Sequence, residues 1–119
     1  MRVAAVVRDL MIFSRILEAA TRSDAELVRV DSPADLPGAD QLDLVLVDWG
    51  DRSPEWGERL SGWCLTAAAS GQPRIVLFGP HTDLEAHADA KRHALGPMLA
   101  RSKLVRSLPM LMRGRRAAL

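Results

Sequence analysis

Several charged residues of this 119-residue chain stand directly after apolar runs. Arg8 and Asp9 follow residues 3–7, Asp48 follows residues 44–47, and Arg101 follows residues 98–100. A further run, residues 75–78, ends at Gly79 instead. Two carboxylates beside two guanidinium groups favour ion pairing, which holds both acids ionised. Trp49, next to Asp48, can serve either as core or as a lid over such a site. His81, His87 and His93 recur every six residues among Asp83, Glu85 and Asp89 and invite a metal reading. Ligands on one helix face need spacings of three or four, however, and only Asp89 and His93 have it, so a solvated helix face is expected. Cys64 is the single cysteine, which excludes an internal disulfide or a thiolate cluster; on an apolar helix stripe it reads as an inert core thiol. A glycine-rich phosphate loop, a Gly-x-Ser-x-Gly elbow and a His-Glu-x-x-His pair are all missing, so no independent enzyme is expected.

The elements that position these residues follow from periodicity. Residues 3–7, 44–47 and 75–78 are apolar throughout, as in strands buried on both faces. Residues 26–30 alternate like a half-buried strand, and residues 98–100 form a very short one. Between them the period changes to that of helices. Leu10, Phe13, Ile16, Leu17 and Ala20 form one stripe behind Asp9 as N-cap. Trp56, Leu60, Trp63, Cys64 and Ala67 form a second, stopped near Ser70–Pro73; Leu84, Ala88 and Leu95 form a meagre third. From Ser102 a last helix turns Leu104, Val105, Leu108, Leu111 and Met112 inward and must accommodate Pro109. Residues 31–42, with two prolines and a glycine, leave room for at most a short irregular helix. Five strands alternating with about five helices predict an α/β domain with a parallel sheet covered on both faces. In such sheets the ligand crevice lies beyond the carboxyl ends of the strands, which places Arg8, Asp9, Asp48, Trp49, Gly79 and Arg101 together.

Residues 6–9 (Val-Val-Arg-Asp), 43–48 (Asp-Leu-Val-Leu-Val-Asp), 73–79, 98–102 and 108–112 come in an order and spacing that resemble the receiver domain of bacterial response regulators. The resemblance covers essentially the whole chain. It implies a three-layer (βα)5 flavodoxin-like fold, with sheet order 2-1-3-4-5, and a place in two-component signal transduction or a phosphorelay. In that family an acid pair binds magnesium, an aspartate takes a phosphoryl group from a histidine kinase, a lysine pairs with that group, and a hydroxyl residue closes on it as the switch. By resemblance Asp48 is the phosphoacceptor position, and Asp9 and Asp48 are the metal ligands if magnesium binds. The second acid is replaced by Arg8, the hydroxyl residue by Gly79 and the lysine by Arg101. A guanidinium in place of a carboxylate opposes a cation that wants anionic oxygen ligands. These departures predict a degenerate pseudo-receiver in which Arg8 takes the place of the metal and neutralises Asp48 or Asp9. No cofactor is then expected; magnesium enters only if Asp48 still accepts a phosphoryl group.

The formal net charge of +1 conceals a split. All 15 acidic residues lie in the first 89 positions with 8 arginines, whereas residues 90–119 hold 8 Lys and Arg and no acidic side chain. Such asymmetry marks a contact surface. Lys91, Arg92, Lys103, Leu104, Val105, Arg106 and Arg113 are expected on one face, built by the helix before the fifth strand, that strand and the last helix; by resemblance it is the dimerisation and output face. The expected partner is a protein or a second copy, with Glu85 and Asp89 pairing Arg106 or Arg113 across a two-fold. Nucleic-acid binding ranks lower, because reading helix and interleaved aromatics are missing. Residues 1–112 read as one receiver-like domain and 113–119 as a short basic tail. No apolar run is long enough to span a bilayer, and Arg8 and Asp9 interrupt the first run too early for a signal peptide, so a cytoplasmic protein of a GC-rich bacterium is expected.

Overall fold

Short runs of β-branched and leucine residues, each followed by an amphipathic helix, fold here into parallel strands. The computed structural model describes residues 1–68 and 73–113. The predicted helix stop at 70–72, the side chain of Ala67 and the tail beyond Arg113 lie outside the described residues. The elements are β1 (Arg2–Val6), α1 (Leu10–Arg22), β2 (Glu26–Val30), β3 (Leu44–Asp48), α2 (Trp56–Ala68), β4 (Arg74–Gly79), α3 (Leu84–Arg92), β5 (Met98–Ala100) and α4 (Arg101–Leu111). The strands form one parallel sheet in the order β2-β1-β3-β4-β5. This is the flavodoxin-like order expected. Four α-helices, rather than five, occur among the described residues: β2 and β3 are joined by two 3-10 turns, Pro33–Asp35 and Ala39–Gln41. Pro33 and Pro37 lack amide donors and Gly38 is a poor helix former, which leaves no room for a longer helix.

The side-chain period of two along the strands divides the core between the faces of the sheet. On one face Val3, Ala5, Leu44, Leu46 and Phe78 pack against Ile16 and Ala20 of α1 and Leu104, Leu108 and Leu111 of α4. On the other, Ala4, Val6, Val45, Val47 and Leu77 pack with Trp49, Trp56, Leu60, Ala86 and Ala90. Two helix stripes differ from expectation. In α1 the inward residues are Ile12, Phe13, Ile16, Ala19 and Ala20, while Leu10, Met11 and Leu17 face out. In α3 Ala86 and Ala90 are buried, whereas Leu84 is exposed. The inward positions of α3 are thus alanines rather than its larger apolar residue. Pro109 is carried inside α4.

Asp9 caps α1 as expected, its Oδ1 accepting the amides of Met11 and Ile12 at 2.9 and 3.4 Å. After α3 the chain turns through a left-handed residue, Ala94, at φ 55°. The Leu95 amide donates to the Ala90 carbonyl at 3.0 Å and closes the helix. A Cβ in this region is unfavourable by about 1–2 kcal/mol. Ala94→Gly should therefore raise unfolding stability by about 0.5–1 kcal/mol after the entropic cost of glycine. Urea denaturation checks this; a loss of stability would contradict the left-handed turn.

Candidate functional site

β3 delivers Asp48 at the carboxyl edge of the sheet, and the residue is almost fully buried, at 2% exposure. Its nearest basic group is Arg101 at the start of α4, with Nη2 3.7 Å from Oδ2. That separation permits ion pairing but is too long for a hydrogen bond. The other carboxylate oxygen, Oδ1, is buried without a hydrogen-bond partner. Burial pushes the Asp48 carboxyl above the usual carboxylate range; the Arg101 guanidinium opposes this, and the carboxylates of Asp51 and Asp9 reinforce it.

The cover over Asp48 is the 3-10 turn Trp49–Asp51. Trp49 is fully buried and its Nε1–H donates to the Ala86 carbonyl of α3 at 2.9 Å. It is therefore core, and the lid alternative does not apply. Its neighbour Gly50 is pressed against the end of β4. A Cβ on Gly50 would lie 2.7 Å from the Pro80 Cδ, and one on Gly79 would lie 3.0 Å from the Gly50 nitrogen and 2.9 Å from the Met98 sulfur. Met98 can turn away, but the Gly50 backbone cannot. The hydroxyl position is thus closed to a side chain, beyond merely lacking one. Truncating a buried tryptophan costs about 3–5 kcal/mol, whereas an unsatisfied buried oxygen costs about 1–3 kcal/mol. Seating Trp49 outweighs leaving Oδ1 unpaired.

Arg8 corrects the expectation attached to it. Its Nε lies 3.7 Å from Oδ2 of Asp51 and 3.4 Å from the Asp31 carbonyl, and its guanidinium carbon stands 5.7 Å from the centre of the Trp56 ring. It neutralises Asp51, on the covering turn, and pairs with neither Asp48 nor Asp9. A long side chain reaches past its own strand end, so adjacency in sequence does not reveal its partner. The residues present do not suit magnesium. Asp9 spends Oδ1 on capping, Asp48 is buried beneath the turn, and Arg8 stands in place of the second acid. Among the described residues no three His, Cys, Asp or Glu groups converge as metal ligands.

Sequence reasoning missed the groups that hold the cover down. Arg52 and Asp89 form a pair at 2.7 Å, with side chains only 15% and 18% exposed, and the Arg52 guanidinium lies over the Trp49 ring, 5.3 Å from its centre. Asp89 also receives Arg92 at 3.0 Å. The hydrogen bond from Arg52 is the main cause holding the Asp89 carboxyl below its ordinary value. In sequence Arg52 is one residue of a polar turn, and only its aromatic neighbour hinted at more. The His93 ring packs on Gly57 of α2, where a Cβ would collide with it, and His87 contacts the His81 carbonyl at 3.0 Å. Cys64 is half-buried, and burial pushes its thiol up.

The expected contact face needs revision as well. Of Leu104 and Val105, either of which was expected at the centre of that face, Leu104 is fully buried and only the half-buried Val105 reaches the surface; Asp89 is already held by Arg52 and Arg92. Lys91, Arg92, Arg106 and Arg113 are exposed, while Lys103 and Val105 are half-buried.

Because the folded carboxyl of Asp48 has a raised pKa, its protonated form is favoured by folding. That contribution is complete below the unfolded value and is lost as pH rises through the folded one. Ionised Asp48 thus costs stability at neutral pH. Asp48→Asn is expected to be more stable than the parent at neutral pH, with the gap closing on acidification. Urea denaturation at both ends of that range checks it; a variant less stable at neutral pH would contradict the assignment.

No protein-family model matches the sequence, and no curated protein does. Solved structures do. A response regulator receiver domain protein from Clostridium thermocellum superposes with a TM-score of 0.63 at 12% identity, covering 95% of this chain and 91% of that one. A chain named as a CpaE2 pilus assembly protein from Sinorhizobium meliloti 1021 superposes with a TM-score of 0.54 at 16% identity, covering 91% and 97%. Strand order, near-complete coverage of both chains and Asp48 at the end of β3 agree: the chain has the receiver-domain fold.

Proposed function

We propose that this chain is a receiver-like regulatory module that acts by protein contact and does not use Asp48 as a phosphoacceptor. The observation that carries the reading is the approach of Gly50 to Gly79 and Pro80, which buries Asp48 and fills the space where a switch hydroxyl would close. A phosphoryl group on Asp48 would need this turn lifted and Trp49 withdrawn from the core. Arg8 beside Asp51 offsets a negative charge that would otherwise help to recruit a cation. The surface left for contact is the outer side of α4 with Lys103, Arg106 and Arg113, extended by Lys91 of α3. Such a module fits the bacterial cytoplasm, and among the described residues no helix is long and apolar enough to cross a membrane.

A phosphoaccepting single-domain regulator is the second reading. It is favoured by the unpartnered Oδ1 of Asp48 and by Arg101 within ion-pairing distance. Incubation with magnesium and acetyl phosphate, followed by intact-mass measurement, separates the two. The expected mass is unchanged. A gain of one phosphoryl group that Asp48→Asn abolishes would establish the second reading.

A further inference from the structure

The charge split of the sequence becomes a separation in space. β2 and β5 are the two edges of the sheet, about 19 Å apart at roughly 4.8 Å per strand. Beside β2 lie Asp24, Glu26, Asp35 and Asp40, all exposed and with carboxylates that form no ion pair among the described residues, although the Arg2 guanidinium donates to the Asp40 carbonyl at 3.4 Å. The strand edge and the following segment meet there, since Glu26, Leu27, Val28, Pro37 and Gln41 line one shallow depression of about 290 Å³; Arg2, opposite Glu26 on β1, also lines it and offsets one of the four negative charges. Val28 is 40% exposed on it.

Toward the other edge, α4 packs against β4, β5 and α1. Its Lys103, Arg106 and Arg113 have no acidic partner among the described residues, nor does Arg15 on α1. Between α1 and α4 runs a groove of about 420 Å³ with a floor of Ala19, Val105, Leu108 and Pro109 and a rim that includes Arg15, Arg22 and Arg113. Glu18 also lines it and pairs with Arg22 at 2.9 Å, so the uncompensated charge of the rim is that of Arg15 and Arg113.

We infer that this chain associates with copies of itself head to tail, the basic α1–α4 groove of one copy receiving the acidic β2 edge of the next. Among the described residues none of the acidic side chains named beside β2 pairs with Arg15, Lys103, Arg106 or Arg113 of the same molecule, so neither surface satisfies the other. A second copy satisfies both. A two-fold contact through α4 would set Arg106 and Arg113 against their own kind, whereas a head-to-tail contact sets unlike charge against unlike and leaves a free surface at each end. Both surfaces carry an apolar centre within a charged border, Val28 and Pro37 on one and Val105 and Pro109 on the other. The inference names the partner of the contact-based module proposed above and takes its purpose from that reading. It depends on different residues, so the Asp48 phosphorylation result and the assembly result can fail independently.

Light scattering and sedimentation of the full chain across protein concentration test it. At low salt the average mass should rise continuously past that of a dimer of the 13.0 kDa chain, and it should return to the monomer at about 0.5 M salt, where screening shortens to a few ångströms. A variant with Glu26→Gln, Asp35→Asn and Asp40→Asn, and another with Lys103→Gln, Arg106→Gln and Arg113→Gln, should each stay monomeric. Five of the six substitutions are of exposed side chains and Lys103 is half-buried, and circular dichroism checks that the folds persist. Mixed, the two variants should form a 1:1 dimer that grows no further, because each retains one competent surface. A monomer at every concentration, a closed dimer of the parent chain, or association that survives in either variant would overturn the inference. Binding of duplex DNA by a chain that does not self-associate would also overturn it.

Discussion

The burial of Trp49 governs the carboxyl edge of this sheet. An indole immediately after Asp48 can enter the core only if the chain turns down at once, and it does so in the turn Trp49–Asp51. Its N–H reaches the Ala86 carbonyl, its face carries Arg52, and Arg52 holds Asp89 of the same helix. The β3–α2 connection is therefore anchored to α3 by an apolar contact, a hydrogen bond and an ion pair together. Gly50 is drawn onto Gly79 and Pro80 as a result, at a separation only glycines permit. The turn that in an open crevice would leave room for a ligand becomes part of the packing.

Charge around the site follows from this closure. Asp48 loses water when the turn descends, which raises its pKa, and Arg101 at 3.7 Å offsets only part of the loss. Asp51 is carried on the turn itself and is neutralised by Arg8, whose guanidinium also lies over Trp56. A site built to gather negative charge around a cation would hold several carboxylates free. Here each is accounted for: Asp9 caps a helix, Asp51 pairs with an arginine, and Asp48 is covered. The free charge stands instead on the outer surfaces, negative along β2 and positive along α4.

Much of this architecture was legible in the sequence, and the legible parts share a physical basis. The runs at 44–47 and 75–78 are apolar at every position because both faces of those strands are covered, and Asp9 precedes a helix that needs a cap. Those constraints are local. What sequence could not disclose was long-range or a matter of phase. Arg8 sits beside Asp9 in the chain, yet its partner is Asp51. Leu10 and Leu84 look like core residues by type, but the helices turn Ile12 and Ala86 inward instead. Trp49 stayed open between core and lid, because an aromatic residue after a strand suits either, and only the position of the Ala86 carbonyl settles it. Gly50 was one residue of a polar turn and Gly79 stood only for a missing hydroxyl, and nothing in the sequence said that the two would meet.

The account stands on the closure of the space above Asp48. Paramagnetic broadening by manganese(II), a stand-in for magnesium, reads that space directly in the NMR spectrum of the full-length protein. A closed site predicts only weak, non-saturating broadening of exposed acidic residues such as Asp35 and Asp40, with the amides of Asp48, Trp49 and Gly79 spared. Saturable broadening centred on Asp48 and Asp9, lost in Asp48→Asn, would show an open cation site and contradict it.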